Sequence, residues 1–95
     1  MVVPFDALLL AEGLADAHWL LHEALRSGAR TVVVDLGGAP GLPPAVLSTL
    51  LWAHRVCRSR GGGVLLRGAD GRTREMLHRT GLERVLRPEP GDAVA

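Results

Sequence analysis

The sequence predicts an α/β fold, with a mostly parallel β-sheet and α-helices in alternating β-α order. Residues 31–36 form an unbroken, β-branched run, the pattern of a central parallel strand that is covered on both faces. Segments with apolar residues at helical spacing precede and follow this run, and glycines or prolines mark the junctions. Strands that alternate with helices in this way form right-handed crossovers onto one sheet.

The other elements follow from the same signals. We predict three helices, over residues 14–27, from Pro43 and Pro44 to the glycines at 61–63, and over residues 73–80. Three further strands are predicted, over residues 7–11, 64–67 and 85–86. The run at 7–11 is rich in Leu and Ala, so its composition also permits a helix.

The length of 95 residues allows one domain. With 47% hydrophobic and 22% charged residues, the chain is apolar enough to fold. We expect the domain to span residues 1–87, and residues 88–95, which contain two prolines and a glycine, to form a frayed tail.

The charges exclude several classes of function. All 11 cations are arginines, so a Walker A phosphate loop and a lysine Schiff base are excluded. Nine of the arginines lie after residue 47, but no aromatic residues are interleaved with them in the pattern of a nucleic-acid interface. We therefore expect no binding to nucleic acid.

The location follows from the single thiol and the first residues. Cys57 has no second cysteine to pair with, so nothing requires an oxidising compartment. The first residues lack the basic start of a signal peptide, and the apolar run at 7–11 is too short to cross a bilayer. The expected location is cytoplasmic, without membrane insertion.

The usual catalytic motifs are missing, and we predict no enzyme activity and no cofactor. The sequence has no Gly-x-Ser-x-Gly, Gly-x-Gly-x-x-Gly or His-Glu-x-x-His motif and no cysteine pair. Asp35 is expected to hold the Gly37-Gly38 turn, and His54 to be a hydrogen-bonded histidine at the edge of the core. The alternative is a small enzyme or ligand carrier that uses these two side chains and the glycine turns.

His18 and His22 are four residues apart, a spacing that can place two imidazoles on one metal ion. Two ligands seldom hold a metal, so we predict no metal site. His18 is instead expected at the edge of the core beside Leu14, Leu21 and Leu25, with His22 in solvent.

Four blocks of sequence occur in a recognisable order. They are Val-Val-Val-Asp-Leu-Gly-Gly at 32–38, Leu-Leu-Trp-Ala-His-Arg at 50–55, Gly-Gly-Val-Leu-Leu-Arg-Gly at 62–68 and Thr-Gly-Leu-Glu-Arg-Val-Leu at 80–86. Residues 29–87 resemble a STAS domain, the module of anti-sigma-factor antagonists and stressosome scaffold proteins.

The chain departs from the family at the phosphorylation motif. The family's Asp-Ser-Ser-Gly falls on Pro43-Pro44-Ala45-Val46, which places the phosphoacceptor position at Ala45. The nearest hydroxyl, Ser48, lies almost one turn inside the helix, where a serine commonly bonds back to its own backbone. The resemblance therefore implies a member that cannot be phosphorylated.

Both sides of the second helix are apolar. One side carries Val46, Leu47, Leu50, Ala53, His54 and Cys57, and the other carries Ala45, Thr49, Trp52 and Val56. We predict that the second stripe, together with Pro43 and Pro44, binds a partner, and that Trp52 and Trp19 face away from the sheet. The alternative is that a neighbouring helix or the tail covers each ring.

The resemblance implies a non-catalytic protein-interaction module in bacterial regulation of transcription. The implied partner is an anti-sigma-factor kinase-like protein or another STAS protein, and a homodimer is possible. In phosphorylatable relatives, phosphate on the serine releases the partner, a route that Ala45 removes. The alternative within the fold is an accessory STAS subunit of a lipid-transporting ABC system.

Overall fold

The computed structural model describes residues 1–5, 14–37 and 41–89. Its strands are β1 (Val2–Pro4), β2 (Thr31–Asp35), β3 (Gly63–Arg67) and β4 (Arg87–Pro88). Its α-helices are α1 (Leu14–Arg26), α2 (Pro44–Ser59) and α3 (Gly71–Thr80), followed by a 3₁₀ turn at Leu82–Arg84.

The four strands form one parallel sheet in the order β1-β2-β3-β4. Val33 at the centre of β2 pairs with Val2 on one side and Leu65 on the other. A helix follows β2 and another follows β3, which is the alternating order that the sequence predicts. The α/β prediction is confirmed.

The main core lies on one face of the sheet, although β2 is buried on both faces. Val32, Val34 and Leu66 belong to this core, together with the apolar sides of α1 and α2. Val33 points to the other face, where it is only 8% exposed although it lies outside the main core cluster. Right-handed crossovers between strands in sequential order place the connecting helices on the same face.

Strand β1 was not predicted from the sequence. It has three residues, and Pro4 argues against a strand except at the edge of a sheet. Its pairing depends on distant residues, because the Phe5 amide donates to the Asp35 carbonyl (2.6 Å) and the Val33 amide donates to the Met1 carbonyl (2.7 Å). The predicted strand at 7–11 lies outside the described residues.

The last strand begins later than predicted. The amides of Val85 and Leu86 both donate to the Leu82 carbonyl, so these residues close the 3₁₀ turn and cannot pair with β3. Strand β4 forms at Arg87–Pro88 instead, and the Glu89 amide donates to the Leu66 carbonyl (2.8 Å). Residues 88 and 89, the start of the expected tail, therefore run along β3, and residues 90–95 lie outside the described part.

Helix α3 begins two residues before the predicted start because Asp70 caps it. The Asp70 carboxylate accepts a hydrogen bond from the Thr73 amide (2.8 Å), the usual N-cap geometry. This bond is the main reason why the pKa of Asp70 lies below its ordinary value. The helix ends at Gly81, whose positive φ of 78° is a common glycine cap.

Candidate partner-binding site on helix α2

Two prolines fix the start of α2 at the carboxyl end of the sheet. Pro43 has extended backbone angles (φ −59°, ψ 142°), and Pro44 takes the first helical position, where a missing amide costs least. No side chain caps this end, but the Leu47 amide donates to the Pro43 carbonyl (2.9 Å). The prolines therefore supply the geometry that a Ser or Asp cap would otherwise provide.

Ala45, the predicted position of the lost phosphoacceptor, is exposed in the first turn of α2. Both neighbouring hydroxyls bond to their own helix. Ser48 Oγ donates to the Pro44 carbonyl and Thr49 Oγ1 donates to the Ala45 carbonyl, each at 3.1 Å. The predicted back-bonding of Ser48 is confirmed, so no described hydroxyl in this turn replaces the acceptor.

The inward side of α2 is as predicted. Val46, Leu50, Ala53 and Cys57 are buried in the main core. The opposite stripe differs from the expectation, since Thr49, Trp52 and Val56 are half-buried rather than open to solvent. Helix α1 packs against α2 and covers part of this stripe.

Trp52 lies under two imidazoles from α1. Its ring centre is 5.4 Å from that of His18, with the planes 21° apart, and 5.7 Å from that of His22. The two imidazoles are 5.9 Å apart and stack on each other. We call these three rings the ring cluster; it shows that a neighbouring helix partly covers Trp52, the alternative noted for the sequence.

The prediction for His18 is corrected by the same contact. His18 is exposed, not at the edge of the core, because Ala17, Leu21 and Ala24 occupy the buried side of α1. His22 is exposed, as expected. The spacing of four residues shows from the sequence that the two imidazoles lie on one side of α1. Their contact with Trp52 on α2 is recognisable only in the structure, because it requires the packing of the two helices.

Trp19 does face away from the sheet, as predicted, with 61% of its surface exposed. It is not part of the ring cluster, since the described ring contacts join Trp52 only to the two histidines. The two tryptophans therefore do not form one continuous patch.

Asp35 has the structural role that the sequence predicts. Its Oδ1 accepts a hydrogen bond from the Gly37 amide (2.9 Å), and Gly37 has the positive φ of 60° that favours glycine. The carboxylate thus shapes the turn after β2. Gly38 lies outside the described residues.

His54 is a hydrogen-bonded histidine at the edge of the core, as predicted. Its Nδ1 accepts a hydrogen bond from the Val64 amide at the start of β3 (3.0 Å). Burial is the main cause that lowers the pKa of His54, and the positive charge of Arg58 lowers it further. Gly63 provides the space for the ring, because a Cβ at that position would lie 3.1 Å from His54 Cε1.

The described residues include no reactive thiol, no metal-binding cluster and no membrane-spanning helix. Cys57 is buried, and desolvation raises the pKa of its thiol, so it is poorly nucleophilic. Within residues 1–5, 14–37 and 41–89, no three His, Cys, Asp or Glu side chains are placed to hold a metal ion. No helix in the same ranges combines the length and apolarity needed to cross a membrane.

The comparison with family models identifies the fold. The family described as "Mlab, STAS domain" matches residues 8–88, which is most of the chain. The chain belongs to the STAS domain family. The resemblance found in the sequence blocks is confirmed.

A solved structure agrees with this assignment at the level of the fold. The structure titled "NMR Structure of the protein TM1081" superposes with a TM-score of 0.70 at 19% sequence identity. The match covers 93% of this STAS domain and 73% of that chain. The comparison with curated proteins gives no match.

Within the STAS domain, α2 exposes Pro44 and Ala45 in its first turn and carries a partly open stripe along its length. The hydroxyls of Ser48 and Thr49 beside this turn are both bonded to the helix backbone. Trp52 and Val56 are half-buried, so they retain surface for a contact. The arrangement is suited to binding a protein surface, since apolar and aromatic groups lie beside an exposed helix start.

Proposed function

We propose that this STAS domain is a non-catalytic protein-binding module that docks its partner through the start of α2 and is not regulated by phosphorylation there. The observation that carries the proposal is the exposed Ala45 in the first turn, at the position that the family resemblance assigns to the phosphoacceptor. The docking residues are Pro43, Pro44, Ala45, Thr49, Trp52 and Val56.

The state of the candidate reactive groups supports a non-catalytic role. Asp35 is bonded to the Gly37 amide, His54 Nδ1 is bonded to the Val64 amide, and Cys57 is buried. Groups that are committed to the fold in this way cannot serve as a free base or nucleophile without breaking those contacts.

The proposed partner is an anti-sigma-factor kinase-like protein or another STAS protein, in a bacterial cytoplasmic system that regulates transcription. Relatives that carry the serine lose the partner when phosphate is added. Here the first turn stays uncharged, because α2 has no acidic residue in its first turn and no acceptor at position 45. In the proposed complex, phosphorylation at position 45 therefore cannot release the partner.

A second candidate is an accessory STAS subunit of a lipid-transporting ABC system. The observation that supports this candidate is the description of the matching family as "Mlab, STAS domain". Both candidates use the same surface of α2. They differ in the partner, which affinity purification from the native host and mass spectrometry would identify as an anti-sigma kinase, an ABC ATPase, or a copy of this chain.

Ala45→Asp tests the docking surface. The positive end of the helix dipole tolerates a carboxylate in the first turn, so the free energy of unfolding should change by no more than about 1 kcal/mol. The same charge should weaken the partner contact at least tenfold in calorimetry, about 1.4 kcal/mol, because it must lose water at an apolar surface.

Ala15→Asp is the matched control. Ala15 is the exposed second residue of α1, as Ala45 is of α2, so it receives the same charge in the same part of a helix. It should leave partner affinity unchanged. If the Ala45 variant is folded and binds with wild-type affinity, the start of α2 is not the docking surface.

A further inference from the structure

A second site lies at the opposite end of the sheet, where the strands begin. A cavity of about 500 Å³ opens there, lined by the glycines that end α2, the first residues of β3, and three arginines, Arg58, Arg84 and Arg87. The arginines come from three elements: the last turn of α2, the 3₁₀ turn and β4. The size is in the range of ordinary small-molecule sites.

The charged side chains among the described residues that line this cavity are all arginines. None of its described lining residues is acidic, and none of the three guanidinium groups takes part in a described ion pair. A bond from Arg87 Nε to the Arg84 carbonyl (3.4 Å) helps to keep these two residues together. Three like charges on one cavity lining repel one another when no acidic side chain lies among them, so a bound anion would be stabilised.

His54 adds a neutral donor to the same lining. Because its Nδ1 accepts from the Val64 amide, a neutral ring must carry its proton on Nε2. The lining thus combines three charged donors and one neutral donor with a hydroxyl from Thr31. Such a set matches an oxyanion with several acceptor oxygens, and the guanidinium fork suits phosphate in particular.

Gly62, in the cavity lining, lies against the backbone of Arg30. A Cβ on Gly62 would lie 1.9 Å from the Arg30 carbonyl oxygen, so no larger residue fits there without moving the backbone. The amides of Gly61 and Gly62 are used by the carbonyls of Arg58 and Cys57 at the end of α2. Side chains, not backbone amides, therefore supply the binding groups.

We propose that this cavity binds a phosphate group, presented by a small phosphorylated molecule or by a phospholipid headgroup, through Arg58, Arg84 and Arg87. The site does not include the start of α2, the part of the docking surface that Ala45→Asp tests. From Ala45 to Arg58 the helix rises by roughly 20 Å, whereas Val56, at the far end of the docking stripe, is close to Arg58.

Inorganic pyrophosphate titrated into the protein in a low-salt buffer tests the site. Calorimetry should give a Kd of about 1 mM or tighter, and Arg58→Gln or Arg87→Gln should weaken it by about tenfold or more. Arg79→Gln is the control, since Arg79 holds the same place in the last turn of α3 but does not line the cavity. Ala45→Asp should not change pyrophosphate affinity.

Sedimentation with lipid vesicles distinguishes a phospholipid headgroup from a soluble phosphorylated molecule. If the headgroup is the ligand, the protein should sediment with vesicles of phosphatidylcholine and phosphatidic acid but not with phosphatidylcholine alone, and Arg58→Gln should abolish this. If only pyrophosphate binds, the ligand is a soluble molecule. The proposal is overturned if neither probe binds, or if Arg79→Gln weakens binding as much as Arg58→Gln, since attraction would then be unspecific.

Discussion

At the scale of single residues, the role of a side chain in this STAS domain depends on its neighbour from another element. His54 on α2 accepts a hydrogen bond from the Val64 amide of β3, and the ring of Trp52 on α2 contacts the imidazoles of α1. Sequence spacing placed His54 correctly, because its side of the helix is the core side. It could not place Trp52 beneath α1, because the contact needs both helices.

His54 should make stability depend on pH. Its pKa is lowered in the fold, so as pH falls below about 6.5 the unfolded chain takes up the proton first and stability decreases. Above about pH 6.5 the histidine is neutral in both the folded and the unfolded chain, so its full contribution to stability is present. Denaturant titrations at a series of pH values should show that the free energy of unfolding falls less at low pH for His54→Asn than for wild type. If it falls equally with pH in both proteins, this role of His54 is contradicted.

Trp52→Ala should lower the free energy of unfolding by about 2 kcal/mol, less than the 3 to 5 kcal/mol typical of a fully buried ring. The reason is that the ring is half-buried and loses its stacking on His18 and His22. Trp19→Ala is the control, and its exposed ring should change stability by about 0.5 kcal/mol or less. A loss of 4 kcal/mol for Trp52 would show that it is a core residue and not part of a docking surface.

At the scale of elements, the ends of α2 are the best-predicted features of the chain. Pro44 begins the helix and the three glycines end it, as the sequence indicates. The Gly61 and Gly62 amides donate to the Arg58 and Cys57 carbonyls, and Gly61 has a φ of 86°. The three glycines nevertheless have different tasks: a left-handed turn, a close backbone approach, and space for His54.

Substitutions at two neighbouring glycines should separate these tasks. Gly61→Ala meets no atom within 4 Å and should cost about 1 to 2 kcal/mol for its positive φ alone. Gly62→Ala would collide with the Arg30 carbonyl and should cost about 3 kcal/mol or more. Urea denaturation of both variants checks the order, and a milder effect at Gly62 would mean that the approach of the two backbones can relax.

At the scale of the whole molecule, the last strand is held by few contacts. Strand β4 has two residues, and beyond it Glu89 forms two hydrogen bonds with Arg67 of β3, at 2.9 and 2.7 Å. The pair is partly buried and two-pronged, a geometry stronger than that of ordinary surface pairs. The pair therefore stabilises the position of β4 at the edge of the sheet.

Glu89→Gln should lower stability by about 1 kcal/mol and speed hydrogen exchange at the Glu89 amide, while the amides of β2 keep wild-type rates. Glu23→Gln is the control, because its pair with Arg26 is largely exposed and should contribute about 0.5 kcal/mol or less. Unchanged exchange at position 89 would indicate that the backbone bond to Leu66 suffices.

The sequence by itself determined the alternation of strands and helices, both ends of α2 and the turn at Asp35. Each of these features depends on side chains that lie within a few residues, along the chain, of the backbone whose conformation they set. The tertiary structure alone decided that Val2–Pro4 forms an edge strand, that α1 covers Trp52, and that three arginines from separate elements share one cavity. Such contacts join residues far apart in the chain, and their energies exist only after the sheet and helices have packed.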